Sequence, residues 1–575
     1  MDYYDLGAYT RSVTTPSGAA QTWFDRGLIW AYAFNHEEAA KCFEHAVAED
    51  SECASAYWGL AYALGPNYNK PWEFFDPDDL RSSVQRAHQA VTSAREHAGA
   101  ASTVEQALIE ALQLRYPAER PVEDCSIWNG PYAEAMGRVY EAHPEDLDVA
   151  TLYADALMNL TPWALWDTRT GAPAPNSRSA EAKEVLERAL GRPEASRHPG
   201  LLHLYIHLME MSATPELALP VAEQLRNLVP DAGHLHHMPT HIDVLCGDYQ
   251  RVVTSNSAAI RADERFLELG GPMNFYTLYR CHNYHFKIYG AMFLGQSQVA
   301  LDTAAQLEAA VPEELLRVES PPMADWLEGF LAMRVHSLIR FGRWDDVLAL
   351  EFPADPELYC VTTAMTRYAR GIALSARGRL TEAEAERELF RAAVGRVIPT
   401  RTLFNNTCLD ILAVAASMLD GELEYRRGNH EAAFAHLRRS IELDDGLPYD
   451  EPWGWMQPTR HAYGALLLEQ GRVAEAARVY AADLGIDDTF PRSSQHPNNV
   501  WSLHGYHECL LALGRSAEAR IIGQQLTLAR SRSDVAIEAS CYCRLSAISE
   551  PAAADLCCGT PSETHPRATA AGGLA

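Results

Sequence analysis

Residues 23–51 read WFDRGLIWAYAFNHEEAAKCFEHAVAEDS, and this stretch decides the fold. Trp23, Gly27 and Trp30 recur at helical spacing, Asn35 breaks the run, and Ala39, Phe43 and Ala46 resume it on a second amphipathic helix. Such a pair is antiparallel, with a small residue at its closest approach. Tyr57 follows Trp23 by 34 residues and opens YWGLAYAL, so the unit begins again.

The same entry into a second helix recurs along the chain: CGDYQRVV near 246, LGQSQVAL near 294, FGRWDDVLAL near 341, ARGRLTEAEAE near 376, RGNHEAAFAHL near 427, QGRVAEAARVY near 470 and LGRSAEAR near 513. Each has a turn glycine followed by a small apolar residue. The period predicts an all-α, tetratricopeptide-repeat superhelical solenoid of antiparallel helix pairs over 21–548, after a lead-in at 1–20. Three longer connections, 65–78, 159–180 and 486–500, carry Pro, Asn, Asp and aromatic residues and read as lids or packing loops. Residues 549–575 lack periodicity and read as a disordered tail.

Composition excludes some functions. The 575 residues carry 77 acidic against 48 basic side chains, a formal net charge of -29, which opposes phosphate binding and predicts no nucleic-acid partner. No apolar run reaches the roughly 20 residues of a membrane helix, and MDYYDLGAYT lacks the regions of a signal peptide, so the expected location is cytoplasmic with no membrane partner. The twelve cysteines, including Cys541, Cys543, Cys557 and Cys558, follow neither disulfide nor zinc-finger spacing.

Nine of the 22 histidines lie between His198 and His285, where an even spread would place roughly three. Counted back from Ala218 and Val252 as position 20 of their repeats, His203 and His237 share position 5, and His207 and His241 share position 9. Residues four apart share a helix face, so each pair presents two imidazoles to one ion. Glu210 adds a carboxylate at position 12 of its repeat. In the unit counted from Ala300, His282 and His285 stand at positions 2 and 5. His234 and His236 precede the helix and read as loop residues. His336, His461 and His504 also fall at inward positions, with His507 nearby.

The stretches HPGLLHLYIHLMEMS (198–212), GHLHHMPTHIDVLCGDY (233–249) and CHNYHFKIYGAMFLG (281–295) resemble a group of bacterial and fungal tetratricopeptide-repeat proteins sharing this histidine signature. The segments 34–69, NLTPWALW (159–166) and HPNNVWSL (496–503) extend the resemblance over most of 20–530. It implies that positions 2, 5, 9 and 12 line the concave groove. It carries over His203, His207, Glu210, His237, His241, His282, Asn283 and His285, but implies no reaction. His504 departs from the group's apolar or aromatic residue.

Six imidazoles and one carboxylate without thiolates suit copper or iron, with zinc as an alternative. Three imidazoles per ion accommodate two metals on His203, His207, His237, His241, His282 and His285. A single non-haem iron on His207, Glu210 and His241 is the other oxidative arrangement. Both point to an oxidoreductase using dioxygen on a small-molecule substrate. In a zinc hydrolase Glu210 would be the base. Glu210 and Tyr205 are the candidate catalytic residues, and Asn283, His504 and Trp163 the candidate substrate-facing ones. A non-enzymatic scaffold gripping a protein partner in its groove is the competing class.

Overall fold

The computed structural model describes residues 3–487 and 489–547. The expected tail at 549–575, with Cys557 and Cys558, lies outside them. The described chain is all-α, a tetratricopeptide-like superhelix of antiparallel helix pairs, apart from one short hairpin, Thr402–Leu403 against Asn406–Thr407.

The first pair is Gly18–Tyr32 and His36–Glu49, so the first helix begins inside the expected lead-in. Ser17 accepts from the Ala20 N–H and Asn35 Oδ1 from the Glu38 N–H, capping donors that the helices cannot satisfy themselves. The Phe43 ring then wedges between this pair and the next helix, Ala54–Ala63. A Cβ at Gly27 would stand 2.8 Å from that ring and one at Gly59 2.3 Å, so only glycine permits this approach. Near the other end Tyr480 wedges in the same way between Gly464 and Gly505. The repeat is therefore a repeat of packing as well as of pattern.

The seven turn glycines seen in the sequence, Gly247, Gly295, Gly342, Gly378, Gly428, Gly471 and Gly514, all adopt φ between 62° and 83°. That left-handed conformation ends one helix and aims the next, and a Cβ would oppose it.

The superhelix is wound tightly enough to meet itself. The Phe275 N–H donates to Glu37 (2.9 Å), and Asp534 accepts from the Ser297 N–H (2.7 Å). The middle of the chain fills the resulting interior. Every residue of the helix Pro199–Glu210 is buried, as is every residue of Gly233–His237 and Pro239–Leu245, and Thr277–Leu294 is buried except at Lys287. Helices covered on all sides have no solvent face, so their polar residues require partners within the protein. No helix of the described residues is long and apolar enough to cross a membrane.

Candidate metal centre

The interior helices bring six imidazoles together as two triads. His203, His207 and His234 form one and His237, His241 and His282 the other, and within each the ligand-capable nitrogens all lie within 4.8 Å of one another. No ring is more than 6% exposed. The triads adjoin, with the His207 and His241 centroids 5.9 Å apart, as are those of His234 and His237. A third group, Glu210, His241 and Glu451, shares His241 with the second triad.

Local structure explains the placement. His203 and His207 sit one turn apart on Pro199–Glu210. The segment 233–245 is broken at Met238 ahead of Pro239, and His234, His237 and His241 follow at intervals of three and four on one face. His282 comes from the neighbouring helix. A phenylalanine covers each triad. Phe34 lies 4.4, 5.5 and 5.7 Å from His203, His207 and His234, and Phe286 lies 5.0, 5.2 and 5.5 Å from His237, His241 and His282.

The hydrogen bonds fix which nitrogen faces inward. His203 Nδ1 donates to the Tyr32 carbonyl (2.6 Å), His207 Nδ1 to Glu210 Oε1 (3.0 Å), His241 Nδ1 to Glu210 Oε2 (2.7 Å) and His237 Nδ1 to Asn256 Oδ1 (2.8 Å). Asn256 is oriented as an acceptor because its Nδ2 donates to Thr240 Oγ1 and the Val252 carbonyl. Four rings thus spend their N–H on the surroundings, leaving an Nε2 lone pair for the interior.

In the first triad His203 Nε2, His207 Nε2 and both His234 ring nitrogens are buried with no hydrogen-bond partner among the described residues. In the second, His237 Nε2 and His241 Nε2 face each other at 2.7 Å. Two lone pairs at that distance repel unless a cation stands against both.

Burial, reinforced by neighbouring imidazoles, holds His203, His207, His234, His237 and His282 well below the ordinary histidine pKa. They are neutral near pH 7, the form that binds metal. The contact of His207 with Glu210 is therefore a hydrogen bond from a neutral ring. Burial, and then Glu451, raises the Glu210 pKa. Burial also pushes Glu451 up to about 8. His241 Nδ1 touches Glu451 as well, and Tyr449 donates its hydroxyl to that carboxyl.

Some expected site residues go elsewhere. His285 Nε2 meets Met456 Sδ at 2.9 Å, and the sixth place in the triads belongs to His234, which is helical and not a loop residue. His236 is helical too, but turns away to the Pro230 carbonyl (2.9 Å). Tyr205 points to the opposite side of its helix, its hydroxyl donating to Glu187 at 3.0 Å, because residues two apart face apart. Asn283 binds Asp263 (2.5 Å) and His504 lies against Arg530. His336 packs on Trp455, and His461 binds Asp483 (3.0 Å). Glu210 joins the triads through its hydrogen bonds. Trp163 reaches the site, its ring 6.0 Å from His207, and Tyr68 approaches the same histidine at 4.9 Å, so two of the long connections are packing loops over the centre. Glu451, distant in sequence and outside any motif, gave no signal.

Comparison with known proteins leaves the centre unassigned: no family model matches the chain, and no curated protein does either. Several solved structures overlap with the chain distantly. The Cut9–Hcn1 hetero-tetramer of the APC/C shows 12% identity over 85% of this chain and 76% of the other, with a TM-score of 0.29. An IFIT1 monomeric mutant with Gppp-AAAA shows 12% over 88% and 96% (0.32), and yeast Tom70 10% over 88% and 99% (0.29).

Proposed function

We propose that this chain is a metal-dependent oxidoreductase that uses dioxygen at a pair of transition-metal ions, copper or iron, held by His203, His207 and His234 and by His237, His241 and His282. The observation that carries this reading is the set of inward Nε2 atoms, buried and unpartnered in the first triad and opposed at 2.7 Å in the second. Leaving several buried imidazole nitrogens unpaired costs on the order of 1–3 kcal/mol each, a cost that metal coordination offsets.

The ligand chemistry narrows the metal. All-imidazole sets without thiolate suit copper and accept iron or zinc, and six imidazoles exceed the three that a single hydrolytic zinc takes. When bound, a redox metal supplies electrons to dioxygen. The protein's own groups orient and insulate. In this reading Glu210 ties His207 of one triad to His241 of the other and fixes both tautomers, and so acts as a positioning residue. Asn256 does the same for His237. Phe34 and Phe286 each cover one side of a triad.

The scaffold alternative needs an open groove, and at the histidines the concavity is filled by the chain's own side chains.

The test is metal content of the tag-free protein after reconstitution with copper, iron or zinc, followed by oxygen consumption with reducing substrates. About two ions per chain are expected, with one lost in His203→Ala and one in His237→Ala. A protein that takes up no metal ends the proposal. One that takes up only zinc and consumes no oxygen replaces oxidation with hydrolysis.

A further inference from the structure

A narrow cavity of about 40 Å³ opens directly onto the metal centre, touching His234, His241 and His282. Its other walls are mostly aromatic or apolar: Phe74, Trp163, Leu278, Tyr279 and Phe404. Phe275 and Trp326 close its outer end, in edge-to-face contact at 5.5 Å. The same two rings line a larger outer cleft of about 520 Å³, so they form the partition between it and the inner cavity.

Two features mark the inner cavity as built for a ligand. The first is backbone strain. Of the six non-glycine residues with positive φ among the described residues, three are asparagines, which tolerate that region. The other three are aromatic, Phe34 (57°), Trp163 (58°) and Phe404 (48°), and each lies against a triad histidine. A bulky residue in this region costs about 1–3 kcal/mol and persists only where its surroundings impose it. Two of these three, Trp163 and Phe404, are walls of the cavity.

The second feature is an unmatched acceptor and donor. The Tyr279 hydroxyl and the Asn69 side chain interact at this cavity, and apart from each other Asn69 Oδ1 and that hydroxyl are buried without hydrogen-bond partners among the described residues. A ligand hydroxyl satisfies both, donating to the amide oxygen and accepting from the phenol.

Charge selects further. The basic groups of the outer cleft are already paired: Lys70 with Asp79 (2.6 Å), Arg86 with Glu44 (2.7 Å) and Lys41 with Glu38 (3.1 Å). An anionic ligand meets no unpaired cation on this route.

We propose that the inner cavity is the substrate subsite and takes an uncharged, single-ring aromatic alcohol of the phenol class, admitted from the outer cleft when Phe275 and Trp326 part. This rests on the oxidoreductase reading for its use, but not for its binding. As it stands the cavity of about 40 Å³ has room for only about three or four waters, at roughly 10–15 Å³ each, so a ring enters only with movement of the partition. Its face then packs on Trp163 and Phe404, and its hydroxyl lies between Asn69 and Tyr279, next to the metal ligands.

The experiment is calorimetric titration of the full chain, metal-loaded and chelator-treated, with 4-methylphenol, toluene and 4-methylbenzoate. Saturable binding of 4-methylphenol is expected, at least about tenfold tighter than either comparison ligand. Leu278→Trp, which fills the cavity, is expected to abolish it. Tyr279→Phe is expected to erase the preference for 4-methylphenol over toluene while leaving ring binding intact, so the inference survives if the bulkier variant fails to fold. Absence of saturable binding, equal binding of all three ligands, or a Tyr279→Phe preference like the wild type overturns the subsite. Metal content is read separately. Phenol binding without metal uptake refutes the oxidoreductase reading and leaves the subsite standing, and metal uptake without phenol binding does the reverse.

Discussion

Two places in this molecule are built from buried histidines around a carboxylate, and their hydrogen bonds separate them. At the candidate metal centre Glu210 takes the Nδ1 protons of His207 and His241, and the opposite nitrogens look inward. Around Asp483 the carboxylate accepts four donors: His461 Nε2 (3.0 Å), His496 Nδ1 (2.8 Å), Asn499 Nδ2 (3.0 Å) and Ser502 Oγ (2.6 Å). The remaining nitrogen of His461 meets Arg340 at 3.0 Å. His461 stands at the same inward repeat position as His203 and His237. Repeat register therefore says where a histidine points, and the accounting of its two nitrogens says whether it is free to bind.

The strongest way to break the comparison is to remove one histidine from each place. His207→Ala is expected to lose the ion of its triad, and with it the stabilisation that bound metal gives the folded state. His461→Ala is expected to keep the full metal content while unfolding at lower denaturant concentration. Metal analysis beside urea melts reads both, and metal loss in His461→Ala would erase the distinction.

Acid sharpens the same contrast. Burial lowers the His461 pKa from 6.5 to about 4. A histidine depressed in the folded state takes its proton first in the unfolded chain. Stability is therefore unaffected above pH 6.5 and falls as the pH drops from 6.5 towards 4, by on the order of 3 kcal/mol for this group. His461→Gln should flatten that part of the stability-versus-pH curve relative to the wild type. Parallel curves would mean that folding does not depress the His461 pKa.

A smaller effect is expected one step from the ligands. Asn256→Ala removes the acceptor that fixes His237 and is expected to weaken metal binding at the second triad by about 10–100-fold, with the first triad unaffected. Competitive titration against a chelator measures both sites. Equal weakening at the two sites would show that they bind as one unit.

Most of this fold was legible because a 34-residue period is a local signal repeated many times, and each turn glycine marks a left-handed residue. The centre was legible only where it follows the same period. His203, His207, His237 and His241 could be read in register, and Glu210 by its spacing from His207. His234 precedes Pro239 as a loop residue would, yet it is helical, and its spacing of three and seven from His237 and His241 sets it on their face. His285 shares a helix with His282 at a plausible interval, but its outcome depends on Met456, which packs there from far along the chain. Glu451 and Phe404 arrive on segments whose position is set by the winding of the whole superhelix, which no local pattern contains.

Tyr205 gives the smallest effect and tests the argument from direction. It lies between His203 and His207 in sequence, and proximity made it a candidate catalytic residue. In the helix it is rotated about 200° from each of them, and its hydroxyl reaches Glu187 on a neighbouring helix. The Glu187 side chain is 42% exposed, so this bond forms next to water. Tyr205→Phe is therefore expected to lower stability by less than about 1 kcal/mol and to leave metal content and oxygen consumption unchanged. A fall in oxygen consumption at full metal content would place the Tyr205 hydroxyl in the chemistry and count against the hydrogen-bond pattern as the criterion that separates the two kinds of buried site.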